Sequence, residues 1–450
     1  MKEKIYYELT PSQDVINLQC KYTLFKRVVN ILFSATCDTP LKFTVLEKAY
    51  NKVVERNDCL RLHFTKKGKK DVQYFKDYSS HIFVPVLTFK TKNAQEQFID
   101  KQRKKAIAYK KGVVIEPYFI NTYDNKQMVF IKVCHLVLDI YGINNIFNDL
   151  FSIYDALINK SELPEAPTTF ESVIQKDLTR KHNTERHKEN YEFFHNLLTS
   201  NEEPYYTGIN GPSEPIYQKQ VKKGKRAMKM FFIHNDTIGY EHPVSKEVMD
   251  KVLSLSERLQ SSPTNILLYA CALTASRING NKKVTLPLEL CNCRGSAAEK
   301  NCAGTKVQSI GCLTTFDFES SFAASIAEFT TYQTKLYRRL GFPDQDFEMM
   351  LHKIHPSNML ETYYSTTFSY IPYQKMQHIT YDMYSNGKGA LPCYIAFLHD
   401  VVAGDARICY DVQSKIISES DVEAFHKNYI KVLNQLADNP DILLKDVAID

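Results

Sequence analysis

The stretch Met128–Val137, MVFIKVCHLV, is a strongly apolar run that reads as a buried strand. Asn144–Ile158, NNIFNDLFSIYDALI, follows as a helix. The histidine near the end of the strand, His135, stands four residues before an acid, Asp139. A connection where a strand hands over to a helix is a frequent place for chemistry. Similar alternation runs along the chain. In Thr44–Asn57, Leu46, Ala49, Tyr50, Val53 and Val54 share one helical face. Cys59–Phe64, CLRLHF, reads as a short strand with Leu60, Leu62 and Phe64 facing one way. Asn159–Phe170 is rich in Pro, Ser and Thr and breaks the helical pattern. His187–Ser200 reads as a helix and Asn201–Gln218 as a long loop. Helices are expected again over Ser245–Gln260, where Val248, Val252, Leu255 and Leu259 form a face, and over Pro263–Gly280, closed by Gly280. Lys282–Leu290 reads as a strand, and Asp421–Pro440 as a last helix ended by Pro440. The class is α+β in two lobes, 1–175 and 176–450, with a linker near 160–185.

A chain of 450 residues is too long for one ordinary core. Hydrophobic residues at 44% and charged residues at 24% place it among globular proteins. The net charge of +6 is spread thinly and does not argue for nucleic acid. The basic run Gln220–Lys229 lacks interleaved aromatics and reads as a solvated loop. No apolar run reaches the roughly 18–20 residues of a membrane helix. Met1–Gln13 has no signal-peptide core, so the eleven scattered cysteines read as reduced thiols in a cytoplasmic protein. Cys291–Cys293, with Cys302 and Cys312 beyond, has neither CxxC spacing nor a nearby histidine pair, and no metal site is assigned there.

On a regular strand Ile131, Val133 and His135 share one face, and Phe130, Lys132 and Cys134 the other. Cys134 and His135 therefore cannot form a nucleophile dyad while both stay in strand geometry. Asp139 would lie ~13 Å from His135 if the chain stayed extended. It is better read as fixing the loop through an arginine. From these residues alone, a structural histidine at the end of a core strand remains open.

The wider pattern resembles the condensation domains of nonribosomal peptide synthetases. Leu9–Gln19, LTPSQDVINLQ, looks like their opening S-x-A-Q motif, and Glu55–Phe64 like R-H-x-x-L-R-x-x-F. Cys134 to Ile140 stands where the family has His-His-x-x-x-Asp-Gly. Ser309–Phe318 is similar to I-G-x-F-V-N-T, and His355–Pro372 to F-x-x-x-F-S-Y. Gly404–Pro440 resembles the usual ending. The resemblance implies two chloramphenicol acetyltransferase-like lobes in a V-shaped pseudo-dimer with a central tunnel. It implies amide formation between a donor acyl thioester and an aminoacyl amine. His135 would orient or deprotonate the amine, or stabilise the oxyanion. Asp139 would be structural, paired with Arg294, and Ser309, Gly311 and Ser369 would line the tunnel.

Two positions depart from the motif. Cys134 replaces the first histidine and is expected to be a packing residue facing away from the cleft. Ile140 replaces the glycine, whose role would be positive φ or close backbone approach, and Gly142 is expected to restore the turn. The implied partners are donor and acceptor carrier proteins with 4'-phosphopantetheine arms, or acyl-CoA as donor, and no bound cofactor. The protein is expected to be a monomer. The end of the chain stands where an adenylation domain usually follows. The first motif begins close to Met1, which is the expectation for a starter domain that N-acylates a first aminoacyl group. The alternatives are a non-catalytic docking member, an acyl-CoA-dependent acyltransferase of the same fold, and an epimerising relative.

Overall fold

A computed structural model describes residues 4–231, 235–374, 376 and 378–450. The chain divides into two compact units, each assembled from three segments. The first comprises Met1–Asn183, Asn292–Gln308 and Lys375–Gly387. The second comprises Thr184–Cys291, Ser309–Gln374 and Lys388–Asp450. Helices and strands alternate in both, so the α+β class read from the sequence holds.

The first unit is built on a five-stranded sheet in the order Ile379–Tyr384, Asn30–Cys37, Gln127–Cys134, Ile115–Asn121, Val86–Thr88. All neighbours are antiparallel except the last pair. Gln127–Cys134 sits at the centre, buried at every position after the first. Its Phe130 packs with Leu32, Ile120 and Met128, and touches Phe98 of the helix Lys92–Lys104. On the neighbouring strand, Phe33 contacts Phe147 of the helix Ile140–Asn159. A charge in so apolar a strand needs a partner. Lys132, 0% exposed, ion-pairs at 2.7 Å with Glu116, its directly opposed residue on the next strand, and donates to Gln102 at 3.0 Å. Helix Phe43–Arg56 buries Leu46, Ala49, Tyr50, Val53 and Val54, the face read from the sequence.

The second unit holds a six-stranded sheet in the order Val307–Gly311, Leu288–Asn292, Thr367–Tyr373, Cys393–Asp400, Ala406–Gln413, Thr237–Val244. Helix Pro263–Ile278 is buried at nearly every position and lies among the helices Lys246–Arg258, Phe322–Tyr337 and Glu419–Asp438. Gly280, at φ +81°, closes it. Among the described residues no helix is long and apolar enough to cross a membrane.

Several expected elements differ in extent. The central strand ends at Cys134 and not Val137, because the amides of Val137 and Leu138 both turn back to the Cys134 carbonyl. Cys59–Phe64 is not one strand: Asp58–Arg61 forms a 3-10 turn and the strand begins at Leu62. The Asp58 carboxylate is drawn there to accept from the amides of Phe170 and Glu171. Lys282–Leu290 is split into Val284–Thr285 and Leu288–Asn292 at Pro287, which has no N–H for a ladder. Helix Pro215–Val221 enters the expected loop 201–218 through a Pro at its first turn and a Glu214 cap. The basic run 220–229 is only partly a solvated loop. Met228 is fully buried in a strand paired with Glu361–Thr362, and Lys225 ion-pairs with Glu361.

Candidate functional site

The strand Gln127–Cys134 delivers His135 to the sheet's end, where its amide donates to the Val29 carbonyl at 2.8 Å. The chain then turns through Leu136–Leu138 and enters the helix at Asp139, the N-cap. Each residue of this turn is tied from elsewhere in the first unit. Gln13 donates its side-chain amide to the Leu136 carbonyl at 2.9 Å, and the Thr305 amide donates to the Val137 carbonyl at 2.9 Å. Leu138 forms a bridge with Gly304.

His135 as a whole residue is half-buried. Its Nδ1 lies 3.1 Å from the Leu138 carbonyl, which can only accept. Nδ1 therefore carries the proton in the neutral ring, and Nε2 keeps its lone pair. Burial pushes the imidazole pKa below its ordinary value, and the Asp139 charge only partly offsets this. The ring is neutral at pH 7. The native state therefore binds fewer protons than the unfolded chain once pH falls below about 6.5, and stability drops in that direction while none is lost above it. Titrating isotope-labelled His135 by NMR is expected to give a midpoint below that of the free side chain, with Nδ1 protonated in the neutral form. A midpoint at or above the free value would contradict this assignment.

Asp139 is 2% exposed and its carboxylate is fully engaged. Arg294 donates through Nη1 and Nη2, both at 2.9 Å, so the two residues brought together here form a bidentate pair. The amides of Gly142 and Lys306 complete the set at 2.8 and 2.6 Å. Burial alone would raise this carboxyl's pKa, but the Arg294 charge and these hydrogen bonds outweigh it and hold it below the usual range. Such a carboxylate stays charged and moves no proton. Arg294 further donates to the carbonyls of Gly304 at 2.5 Å and Cys302 at 3.4 Å. The segment Asn292–Gln308 is thereby strapped across the turn.

Cys134 is fully buried, and burial pushes its thiol pKa well up. No thiolate is available there. Cys134→Ala is expected to leave the His135 titration unchanged and to lose about 1 kcal/mol of stability, measured by urea unfolding. Ile140 is the first helical residue and does not have a positive φ, so its backbone does not require glycine. Gly142 does not act as a turn glycine. It is helical, and the requirement is space: a Cβ there would lie 1.8 Å from the Ala303 carbonyl oxygen.

Ser309, Gly311 and Ser369 belong to the second unit. Ser309 donates to the Asp344 carboxylate, whose pKa burial raises to about 7. A Cβ on Gly311 would meet the Phe347 ring at 2.8 Å, and Ser369 shares a 2.7 Å hydrogen bond with Tyr394. Sequence reasoning missed the parts played by Gln13 and Lys306. Thr10 and Gln13 form a capping box, legible as T-x-x-Q, but the reach of Gln13 to Leu136 has no local signal. Among the described residues no group of His, Cys, Asp and Glu could hold a metal.

The condensation domain family matches the chain over residues 3–449. A plipastatin synthase polypeptide of Bacillus subtilis (strain 168) is 19% identical over 417 residues, covering 90% of this chain. The chain spans only 15% of the length of that relative. The starter condensation domain of rhizomide synthetase RzmA, solved as a variant with C8-CoA, has a TM-score of 0.81 at 14% identity and covers 99% of this chain and 98% of its own. The first condensation domain of the calcium-dependent antibiotic synthetase, solved with a substrate analogue, has a TM-score of 0.79 at 12% identity over 99% of this chain and all of its own. The condensation domain of the Monacolin K polyketide synthase MokA has a TM-score of 0.81 at 13% identity, covering 98% of this chain and all of its own. A neutral histidine on a clamped turn thus stands within a match that runs almost end to end, and the chain belongs to the condensation domain family.

Proposed function

We propose that this chain forms an amide by transferring an acyl group from a thioester to the amine of an aminoacyl group held on a carrier protein. The observation that carries this reading is His135: neutral, with Nδ1 committed to the Leu138 carbonyl and Nε2 left to accept a proton. An α-amine has a pKa of ~8, so a usable fraction is free base at neutral pH, and that free amine has one proton to lose as it attacks. The amine nitrogen adds to the thioester carbonyl, and the amine proton passes to Nε2. The tetrahedral adduct then collapses, the C–S bond breaks, and the proton goes to the leaving thiolate. The activated thioester makes a covalent enzyme intermediate unnecessary, so a protein that aligns two arms supplies much of the rate.

The donor is proposed to be a fatty acyl group, delivered by a carrier or as acyl-CoA. The starter domain of RzmA, which shares this fold, is complexed with C8-CoA and supports that choice. The test offers fatty-acyl and aminoacyl donors, each on a carrier and as the CoA thioester, against one loaded acceptor carrier. Fatty-acyl amide as the main product is the expected result. Product from aminoacyl donors alone would leave peptide elongation, and no amide from any donor would leave a docking role.

A further inference from the structure

The segment Asn292–Gln308 is pinned to the rest of the first unit at two buried points. The first pin is Arg294 on Asp139. The second is Lys306, 2% exposed at its side chain, whose Nζ lies 2.7 and 2.9 Å from the two carboxylate oxygens of Asp177 on the helix Phe170–Lys181. Glu299 stands 3.7 Å from the same Nζ. Its other oxygen accepts from the amides of Gly295 and Ser296 and so holds the strap's own turn. Lys176 reaches Glu299 at 3.0 Å from the same helix as Asp177. Burial disfavours the charged Glu299, but Lys176, Lys306 and these amides outweigh it and take its pKa down to about 2.

Lys306 serves two groups at once. Its side chain is locked to Asp177, while its backbone amide makes the shortest contact to Asp139, at 2.6 Å. Between the pins, Ala303, Gly304 and Thr305 press on the turn that carries His135. The Gly304 bridge to Leu138, the Thr305 amide to Val137 and the close approach of Ala303 to Gly142 are all made there. Leu138 in turn is the residue whose carbonyl fixes the His135 ring. A shift of the strap at Lys306 is therefore passed to two groups that act on His135, the Asp139 charge and the Leu138 carbonyl.

We propose that Lys306 and Asp177 are positioning residues for His135, acting through the strap. The proposal rests on the reading of His135 as the group that takes the amine's proton, and its test separates the two. Lys306→Met, Lys306→Arg and Asp177→Asn are each compared with the wild type by NMR titration of labelled His135 and by amide formation with saturating carriers. A 1 Å misplacement at a reacting group can cost as much as ~10²-fold, so Lys306→Met and Asp177→Asn are expected to lose roughly 10-fold or more in kcat with little change in KM. The His135 midpoint and its Nδ1–H signature shift in the same variants. Lys306→Arg, which keeps the charge, recovers most of both. A His135 titration identical to the wild type in folded Lys306→Met and Asp177→Asn would overturn the positioning role whatever the activity. A shifted titration with no amide formed by any variant or the wild type would leave the strap intact as a device and remove only the proposed reaction. Should Lys306→Met fail to fold, Asp177→Asn, on a different element, carries the test alone.

Discussion

The His135→Ala variant is expected to keep its fold and to lose roughly 10²-fold or more in amide formation, the usual scale of general-base help. Its structural cost is small because the residue as a whole is only half-buried and the ring's hydrogen bond is to the Leu138 carbonyl. Removing that bond costs about 1 kcal/mol. On the proposed reaction the proton is accepted only as the C–N bond forms, so the loss should fall on kcat and kcat/KM together. The measurement is product formation with both carriers saturating, alongside urea unfolding of the same preparation. A drop smaller than about threefold in a folded protein would place the imidazole outside the chemistry.

The largest stability effect is expected at the Asp139–Arg294 pair. Arg294 is 1% exposed at its side chain, and its removal leaves a buried carboxylate with two backbone amides and no cation. Breaking one partner of such a pair costs about 3–5 kcal/mol. Arg294→Met is therefore expected to lower the unfolding free energy by that amount in urea and to impair turnover with it, because the strap loses one of its two buried pins. Asp139→Ala should cost a similar amount, and the double variant less than the sum of the singles. Strict additivity of the two would argue that the pair makes no joint contribution. The pH dependence has a defined sign. The folded-state pKa of Asp139 is depressed, so its stabilisation is complete above the ordinary carboxylate range and is lost as pH falls through the folded value. The wild type should lose this contribution in acid, and Arg294→Met should show a weaker dependence there.

Much of this site was legible locally. The apolar run 128–137 and the helical periodicity over 144–158 place a strand and a helix without any tertiary information, since side-chain spacing of two or 3.6 residues follows from backbone geometry alone, although the strand stops at Cys134 and the helix starts at Ile140. The acid at 139 was legible as a group that fixes the loop, but its place as the N-cap of the helix was not, since the helical pattern was read only from Asn144. The end of the strand was not legible. Whether residues 135–137 continue the ladder depends on which carbonyls their amides find, and the Cys134 carbonyl takes the amides of Val137 and Leu138.

The tertiary structure alone decided what holds the turn. Gln13, Arg294 and Lys306 reach it from 123, 155 and 167 residues away along the chain. Nothing in the local pattern around Gln13 or Lys306 announces the contact, and Arg294 was expected only through the family resemblance, because a polar side chain reads the same in sequence whether it ends in water or in a buried pair. The need to satisfy every buried carbonyl, amide and charge selects the partners once the chain is compact. The same need joins Asn292–Gln308 to the first unit, and the open hydrogen-bonding edge of Asn30–Cys37 joins Ile379–Tyr384 to its sheet. Sequence periodicity determined which segments are helix and strand and which residue types meet at the end of the central strand. Burial and hydrogen-bond satisfaction over long chain separations decided which distant residues clamp His135 in place.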